Sequence, residues 1–424
     1  MKNKQIGKYY SRGSCRFCEG ENLLEILDFG NVPLAGAFIE QTDIAHEKYY
    51  PLEIYYCQDC FLVQVGNVIS VDILFREKYF FFSSAIGTLV EHFKDFAKEI
   101  CIEYLNEKEE PTVLEIGCND GVLIKPLSSM EIFSIGVDPA TNVLKNLNSK
   151  NIKIYNDCFT ENIAQDVKKN YGGVDAVLSC YSFAHIDDMV EVMNGIDCIL
   201  KDDGVFIFEL YYLGTLIEEM QYDNFYHEHM SYYSIKTLVL FFKRYNMEIF
   251  DIKFFPKVRT GSTRFYVKYI KNKNEEISNT FKEMILYEDK KGFNNLSTLM
   301  GYADKVKNTK KELMLTLNKI KSEEKTIIGY GASGRGTTIM NYCGIDGKYL
   351  DYVVDDAPAK QGYYTPGTNL PIKSWDFIKA DGFPDYIVLF AWAFTEEVLN
   401  KRRDYLKQGG KFIIPLPNVK IIAD

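Results

Sequence analysis

TVLEIGCNDG, residues 112–121, decides the fold of this 424-residue chain. Its apolar start reads as a buried strand. Gly117 and Gly121 read as a turn where backbone can approach a ligand closely. Working outward, FSIGVDPA (133–140) reads as a second strand ending in acid, IKIYNDCF (152–159) as a third, VDAVLSCYSF (174–183) as a fourth and GVFIFELYY (204–212) as a fifth. Amphipathic segments separate several of them. The pattern predicts an α/β domain with a parallel sheet and ligands at the carboxyl ends of its strands.

The first two strand ends carry chemistry. Asp138, about 20 residues past the turn, is placed to accept hydrogen bonds from ribose hydroxyls. A Rossmann dehydrogenase shares this layout, but its turn reads G-x-G-x-x-G. Here the turn is E-x-G-x-x-x-G, starting at Glu115. A loose, partly acidic turn does not suit a pyrophosphate. It suits a cofactor with a cationic centre and an amino-acid end, such as S-adenosylmethionine. Asp157 and Phe159 are expected to hold the adenine by hydrogen bond and packing. The bland alternative is a plain α/β domain with an unused turn.

Ahead of this domain lie Cys15-Arg16-Phe17-Cys18 and Cys57-Gln58-Asp59-Cys60. Two C-x-x-C turns supply four thiolates for a tetrahedral structural Zn²⁺ with no open position. A redox pair or four buried thiols are the other readings. The start of the chain has no apolar run, and no stretch of about 20 apolar residues follows, so neither a signal peptide nor a membrane span is expected. The ten cysteines then suit a reducing, cytoplasmic setting. A net charge of -10 argues against a general nucleic-acid binder.

A Lys- and Glu-rich helical stretch (275–324) precedes KTIIGYGASGRGTTIMNYCGI (325–345), a second strand–turn–helix. Gly329, Gly331 and Gly334 form a literal G-x-G-x-x-G, and YVVDD (352–356) ends the next strand in acid. Three readings stand here: an NAD site, a helix N-terminus receiving a sugar nucleotide's diphosphate with Arg335 as fixed cation, or a copy that simply packs.

NFYHEHMSYYS (224–234) holds two of the chain's five histidines. A metal site is one reading, although H-E-H is not H-E-x-x-H and no third ligand is evident. Structural packing is a second, a general base a third, and another binding role a fourth. A histidine titrating near working pH suits removal of a proton beside a ketone, which makes that carbon nucleophilic. The enolate formed then needs donors or cations at its oxygen.

Glu115-Ile-Gly-Cys-Asn-Asp-Gly121, Gly136-Val-Asp-Pro139 and Ala184-His185-Ile-Asp-Asp188 look like a class I S-adenosylmethionine-dependent methyltransferase. With the paired C-x-x-C and the Tyr-His-Glu-His run, the chain resembles the sugar C-methyltransferase family, over nearly its whole length. That resemblance implies three domains: zinc-binding (1–75), methyltransferase (76–272) and a C-terminal Rossmann-like domain closing over a nucleotide sugar (273–424). It implies His229 as base with Tyr226, Glu228 and Tyr79 beside it. It further implies Asn119, Asp120, Pro139 and Tyr181 at the cofactor, and Ser262, Arg264, Arg259, Gly331 and Arg335 at the acceptor. The acceptor would be a dTDP-, GDP- or CDP-linked keto-deoxysugar, and the protein a monomer or small homo-oligomer. Three departures fall near the expected acceptor pocket. Phe80 to Phe82 cannot donate hydrogen bonds. Arg259 and Thr260 stand where His and Gly are expected, and Tyr181 where the family often has Asn. O- or N-methylation of a similar sugar, an NAD-dependent sugar-nucleotide oxidoreductase and a non-enzymatic scaffold remain as rivals.

Overall fold

The computed structural model describes residues 5–6, 9–76, 79, 81–147 and 149–424. Part of the leader reading, at the first residues, and Phe80 lie outside them. No helix among the described residues is long and apolar enough to cross a membrane.

The N-terminal module is built on two matched turns. Glu19 N–H donates to the Cys15 carbonyl (3.0 Å) and Phe61 N–H to the Cys57 carbonyl (2.9 Å). The residue after each second cysteine, Glu19 and Phe61, takes a left-handed conformation (φ 61° and 68°). Between and after the turns run β1 (Leu23–Val32), β2 (Tyr50–Cys57) and β3 (Val63–Val65), all antiparallel. A fourth strand completes this sheet from far away in sequence: Ser231–Tyr232 pairs with β3, Ser231 opposite Gln64 and Tyr232 opposite Val63.

The central sheet contains β4 (Thr112–Ile116), β5 (Phe133–Val137), β6 (Ile152–Tyr155), β7 (Val174–Cys180), β8 (Leu200–Tyr211), β9 (Met247–Phe255) and β10 (Ser262–Tyr269). Their order is β6-β5-β4-β7-β8-β10-β9. All pairs from β6 to β8 are parallel, and β10 is antiparallel to both neighbours. This is the class I methyltransferase arrangement. The order reverses between β4 and β7, so their carboxyl ends open a crevice. β4 is buried along its whole length, as a strand covered on both faces must be. Gly117 follows it at φ +75°, and a Cβ there would lie 2.3 Å from the Ser182 Cβ. Only glycine permits that approach.

Helices Asn279–Lys291 and Leu296–Ser322 lead to the third sheet. It contains β11 (Ile327–Tyr330), β12 (Val353–Val354), β13 (Ile372–Lys373), β14 (Tyr386–Leu389), β15 (Lys411–Ile414) and β16 (Lys420–Ile422), in order β13-β12-β11-β14-β15-β16. This is a second Rossmann-like unit with an antiparallel edge strand. One apolar core joins the first and third units: Phe29, Leu52 and Ile54 cluster with Tyr222, Phe225, Tyr302 and Met340. Phe225, almost fully enclosed, contributes on the order of 1.5–3 kcal/mol by burial alone. The segment after β8 is thereby held from three sides.

Candidate active site

At the crevice, Glu115, Asp120 and Asp138 bring three carboxylates to the ends of β4 and β5. Burial raises the Glu115 carboxyl well above its ordinary value, reinforced by Asp138 and Asp120. Its Oε2 is buried without a hydrogen-bond partner. An orphaned carboxylate oxygen among like charges fits a ligand bearing cationic groups, which is what S-adenosylmethionine offers. Asp138 accepts from the backbone N–H of Asn119 (2.9 Å) and of Ala140 (2.8 Å), one on each oxygen, which leaves lone pairs for ribose hydroxyls. Pro139 follows at the rim. The segment carrying Tyr79 straps over the turn: Asn119 Nδ2 donates to the Phe81 carbonyl (3.1 Å), and Ser84 N and Oγ donate to Asp120 (3.2 and 2.5 Å). Asp157 pairs with Arg76 on the surface. Phe159 departs from its expected place. It sits in the core beneath helix Met189–Ile199, where a Cβ on Gly195 would meet its ring at 2.8 Å, so it presents no free face to an adenine.

The histidine loop splits into two roles. His227 packs against Tyr50, and its Nε2–H donates to the Pro51 carbonyl (3.1 Å); burial lowers its pKa to about 4. His229 faces inward instead. Its Nδ1 lies 2.9 Å from the Asn224 carbonyl and its Nε2 2.7 Å from the Tyr226 hydroxyl. A carbonyl only accepts, so Nδ1 carries the hydrogen and Nε2 the lone pair. Burial, then His185, push the His229 pKa well below its ordinary value, so the ring is neutral. His185 stacks between His229 (5.1 Å) and Phe75 (5.8 Å), with its Nε2 buried and unpartnered. Tyr211 leans on His229 from the other side (5.6 Å). Burial raises the Glu228 carboxyl to about 7. Gly36 of the N-terminal module abuts its Oε1. Tyr79 lies within the electrostatic reach of Glu228, Asp138 and Arg259, between the cofactor end and this pocket. Among the described residues no metal-ligand cluster involves a histidine.

The turn into β10 is unusual. Arg259, Thr260 and Gly261 are left-handed in succession (φ 48°, 66° and 111°), which costs about 1–3 kcal/mol for each non-glycine residue. Gln221 holds it, donating from Nε2 to the Thr260 carbonyl (2.8 Å). Ser262 and Arg264, expected at the acceptor, do not reach it. Both are enclosed. Register places them opposite Tyr211 and Glu209 of β8. Arg264 binds Glu209 (2.8 Å) and Glu99 (2.8 Å) and lies over Phe96. Burial alone would raise Glu209, but Arg264, His92 and Ser262 hold it down at about 2. Ser262 donates to Glu209 (2.5 Å) and receives the Tyr181 hydroxyl (2.8 Å). Tyr181 is thus anchored toward β10 and lies beneath Arg259 rather than at the cofactor turn.

The glycine turn of the third unit packs against its neighbours. Gly331 backs onto Ala391, and Gly334 faces Ala35 of the N-terminal module. Arg335 turns away from the helix start to form a bidentate pair with buried Asp223 (2.9 and 2.9 Å) and donates to Thr260 Oγ1 (2.8 Å). Trp392 Nε1–H completes Asp223 (2.7 Å). Arg335, one of the residues expected at the acceptor, thus forms an interdomain clasp with Asp223. Sequence reading missed Asp223, Trp392, Tyr211 and His185 as site residues. Only His185 had a signal, in its Ala-His-Ile-Asp-Asp context.

The four cysteines meet the requirements of zinc. All Sγ atoms lie within 4.8 Å of one another, with Cys15–Cys60 at 3.4 Å and Cys18–Cys57 at 3.5 Å. Tetrahedral bonds of about 2.3 Å place sulfurs about 3.8 Å apart. Phe17, inside the first turn, stacks on Phe241 (3.7 Å), and buried Arg16 pairs with Asp187 (3.0 Å), which docks the metal module on the central domain.

Three family models match the chain: a zinc binding domain over residues 15–75, a methyltransferase domain over 89–251 and a C-methyltransferase C-terminal domain over 257–417. C-methyltransferase NovU of Streptomyces niveus is 29% identical over 411 residues, covering 96% of both chains. Solved S-adenosylmethionine-dependent methyltransferases from Clostridium acetobutylicum (19% identity, 42% of this chain and 92% of that one, TM-score 0.33) and Anabaena variabilis (16%, 42% and 84%, 0.33) are similar over part of the chain. The chain is thus a class I S-adenosylmethionine-dependent methyltransferase that carries a zinc-binding domain, a methyltransferase domain and a C-methyltransferase C-terminal domain in that order.

Proposed function

We propose that the protein C-methylates a nucleotide-diphosphate-linked keto-deoxysugar, with His229 as the base that removes the proton beside the ketone. The observation that carries this reading is the His229 tautomer. Asn224 fixes the hydrogen on Nδ1, so a neutral Nε2 lone pair is directed at the Tyr226 hydroxyl in the inward-facing cluster. A carbon acid needs such an acceptor, whereas a sugar hydroxyl or amine has its own lone pair to offer. Glu115, Asp120 and Asp138 would hold the cofactor's cationic and ribose groups. When bound, S-adenosylmethionine supplies a methyl group on a positively charged sulfur. Tyr226, Tyr79 and Glu228 line the path between that end and the base, where they orient the sugar and exclude water. A ketone substrate also suits the enclosed, aromatic-rich walls formed by Tyr181, Tyr211 and Phe81.

The test is incubation with S-adenosylmethionine and a panel of dTDP-, GDP- and CDP-linked 4-keto-6-deoxyhexoses. The expected product is heavier by one methyl, with the new carbon bonded to carbon by NMR. In deuterated buffer, S-adenosylhomocysteine in place of the methyl donor should still permit exchange of the hydrogen beside the ketone. An O- or N-methylated product, without such exchange, would replace this reading.

A further inference from the structure

Arg259 has no counterpart in the cofactor site and no ion-pair partner among the described residues. Its guanidinium is clamped between two rings, 4.1 Å from the Tyr181 centroid and 4.6 Å from Phe81. Tyr211, Tyr181, Tyr226 and Tyr79 are gathered around it. It acts in turn on both inward-facing histidines, His185 and His229. A permanent cation thus lies on the same side of the molecule as both histidines, where Tyr181 packs on Tyr211 and Tyr211 on His229.

Its placement is costly and is maintained. The left-handed turn at 259–261 is held at Thr260 by Gln221 and, from the C-terminal domain, by Arg335 (2.8 Å). Tyr181, the floor of the clamp, is fixed through Ser262 to Glu209. A strained turn braced by three elements and delivering one unpaired cation to a pocket is a feature of function rather than packing.

We propose that Arg259 is a catalytic residue that receives the acceptor's carbonyl oxygen and carries its negative charge as the enolate forms; this rests on the keto-sugar reading above. In that step the C–H bond beside the ketone breaks. Its proton bonds to His229 Nε2, with the Tyr226 hydroxyl yielding its place. The C–H electron pair becomes the carbon–carbon double bond, and the carbonyl π pair moves onto oxygen beside the guanidinium. Buried His229 is a weak base, so the free energy for proton removal must come largely from the oxygen end. Arg meets that need at any working pH, because it keeps its charge.

The experiment uses R259Q and R259K in the full chain, with the panel sugar that the native protein methylates. Turnover is measured with S-adenosylmethionine, and deuterium exchange beside the ketone with S-adenosylhomocysteine. R259Q should slow both kcat and exchange by about 100- to 1,000-fold, with KM changed no more than about threefold. R259K should recover part of the loss, and both variants should bind S-adenosylhomocysteine normally by calorimetry. Unchanged exchange in R259Q, or a rise in KM with kcat intact, would overturn the role and make Arg259 a binder of a ground-state anion such as a sugar carboxylate. If the native protein methylates no panel sugar, the acceptor reading falls and this role falls with it; native turnover with an undiminished R259Q overturns this role alone.

Discussion

Replacing Glu228 by Gln separates burial from chemistry in one variant. The carboxyl is shifted from 4.5 to about 7 because the pocket withholds water from its ionised form. The folded state therefore keeps its proton longer than the unfolded chain does. Its ionisation costs nothing below about pH 4.5, costs progressively more as pH rises through the window to about 7, and is constant above that. A shift of this size corresponds to about 3 kcal/mol at alkaline pH. Glutamine has nearly the same shape and never ionises, so E228Q should be more stable than the native protein above neutrality. For a cooperative unit the size of the whole chain, that is roughly 3–4 °C in melting temperature. The assay is thermal unfolding of both proteins from pH 5 to 8.5. The advantage should be small at pH 5 and reach its full value by about pH 8. An advantage that does not vary with pH would refute the reasoning, because the burial argument requires a titration.

His229→Ala should lower methyl transfer by about 100- to 10,000-fold while S-adenosylhomocysteine affinity, by calorimetry, stays within about twofold. Cys57→Ser should fail to retain zinc through dialysis, measured as metal per chain, and should lose turnover, since three thiolates leave the tetrahedron open. Arg335→Met leaves the buried Asp223 carboxylate with only the Trp392 donor and should destabilise the protein by about 3–5 kcal/mol in urea unfolding. The double variant with Asp223→Asn should recover much of that loss.

The central sheet was legible because each of its first five strands ends in a recognisable turn or acid, and buried parallel strands read as unbroken apolar runs. The zinc turns were legible from spacing alone. Side-chain direction was not. Ser262 and Arg264 match an acceptor motif by position, yet alternation along β10 puts both on the face shared with Glu209. Phe159 follows an acid as expected, but its ring fills the space left by Gly195. Arg335 stands where a phosphate-binding cation would, and a carboxylate 112 positions away claims it. The group that sets the His229 tautomer is a backbone carbonyl, to which no residue pattern points. Long-range pairing is equally silent: nothing local to Ser231 says that it will meet Gln64.

That last pairing makes the histidine loop a borrowed part. Its exit, Ser231–Tyr232, is an edge strand of the metal-bound sheet, while Met230 is stitched to both sides through Ala184 and Val65. The central third of the chain, cut free, would still own the crevice and its carboxylates, but would have no frame on which to mount the imidazole. Grafting this loop onto another methyltransferase therefore means transplanting the four-cysteine module along with it, and withdrawing zinc should disturb the setting of His229 before that of the crevice carboxylates.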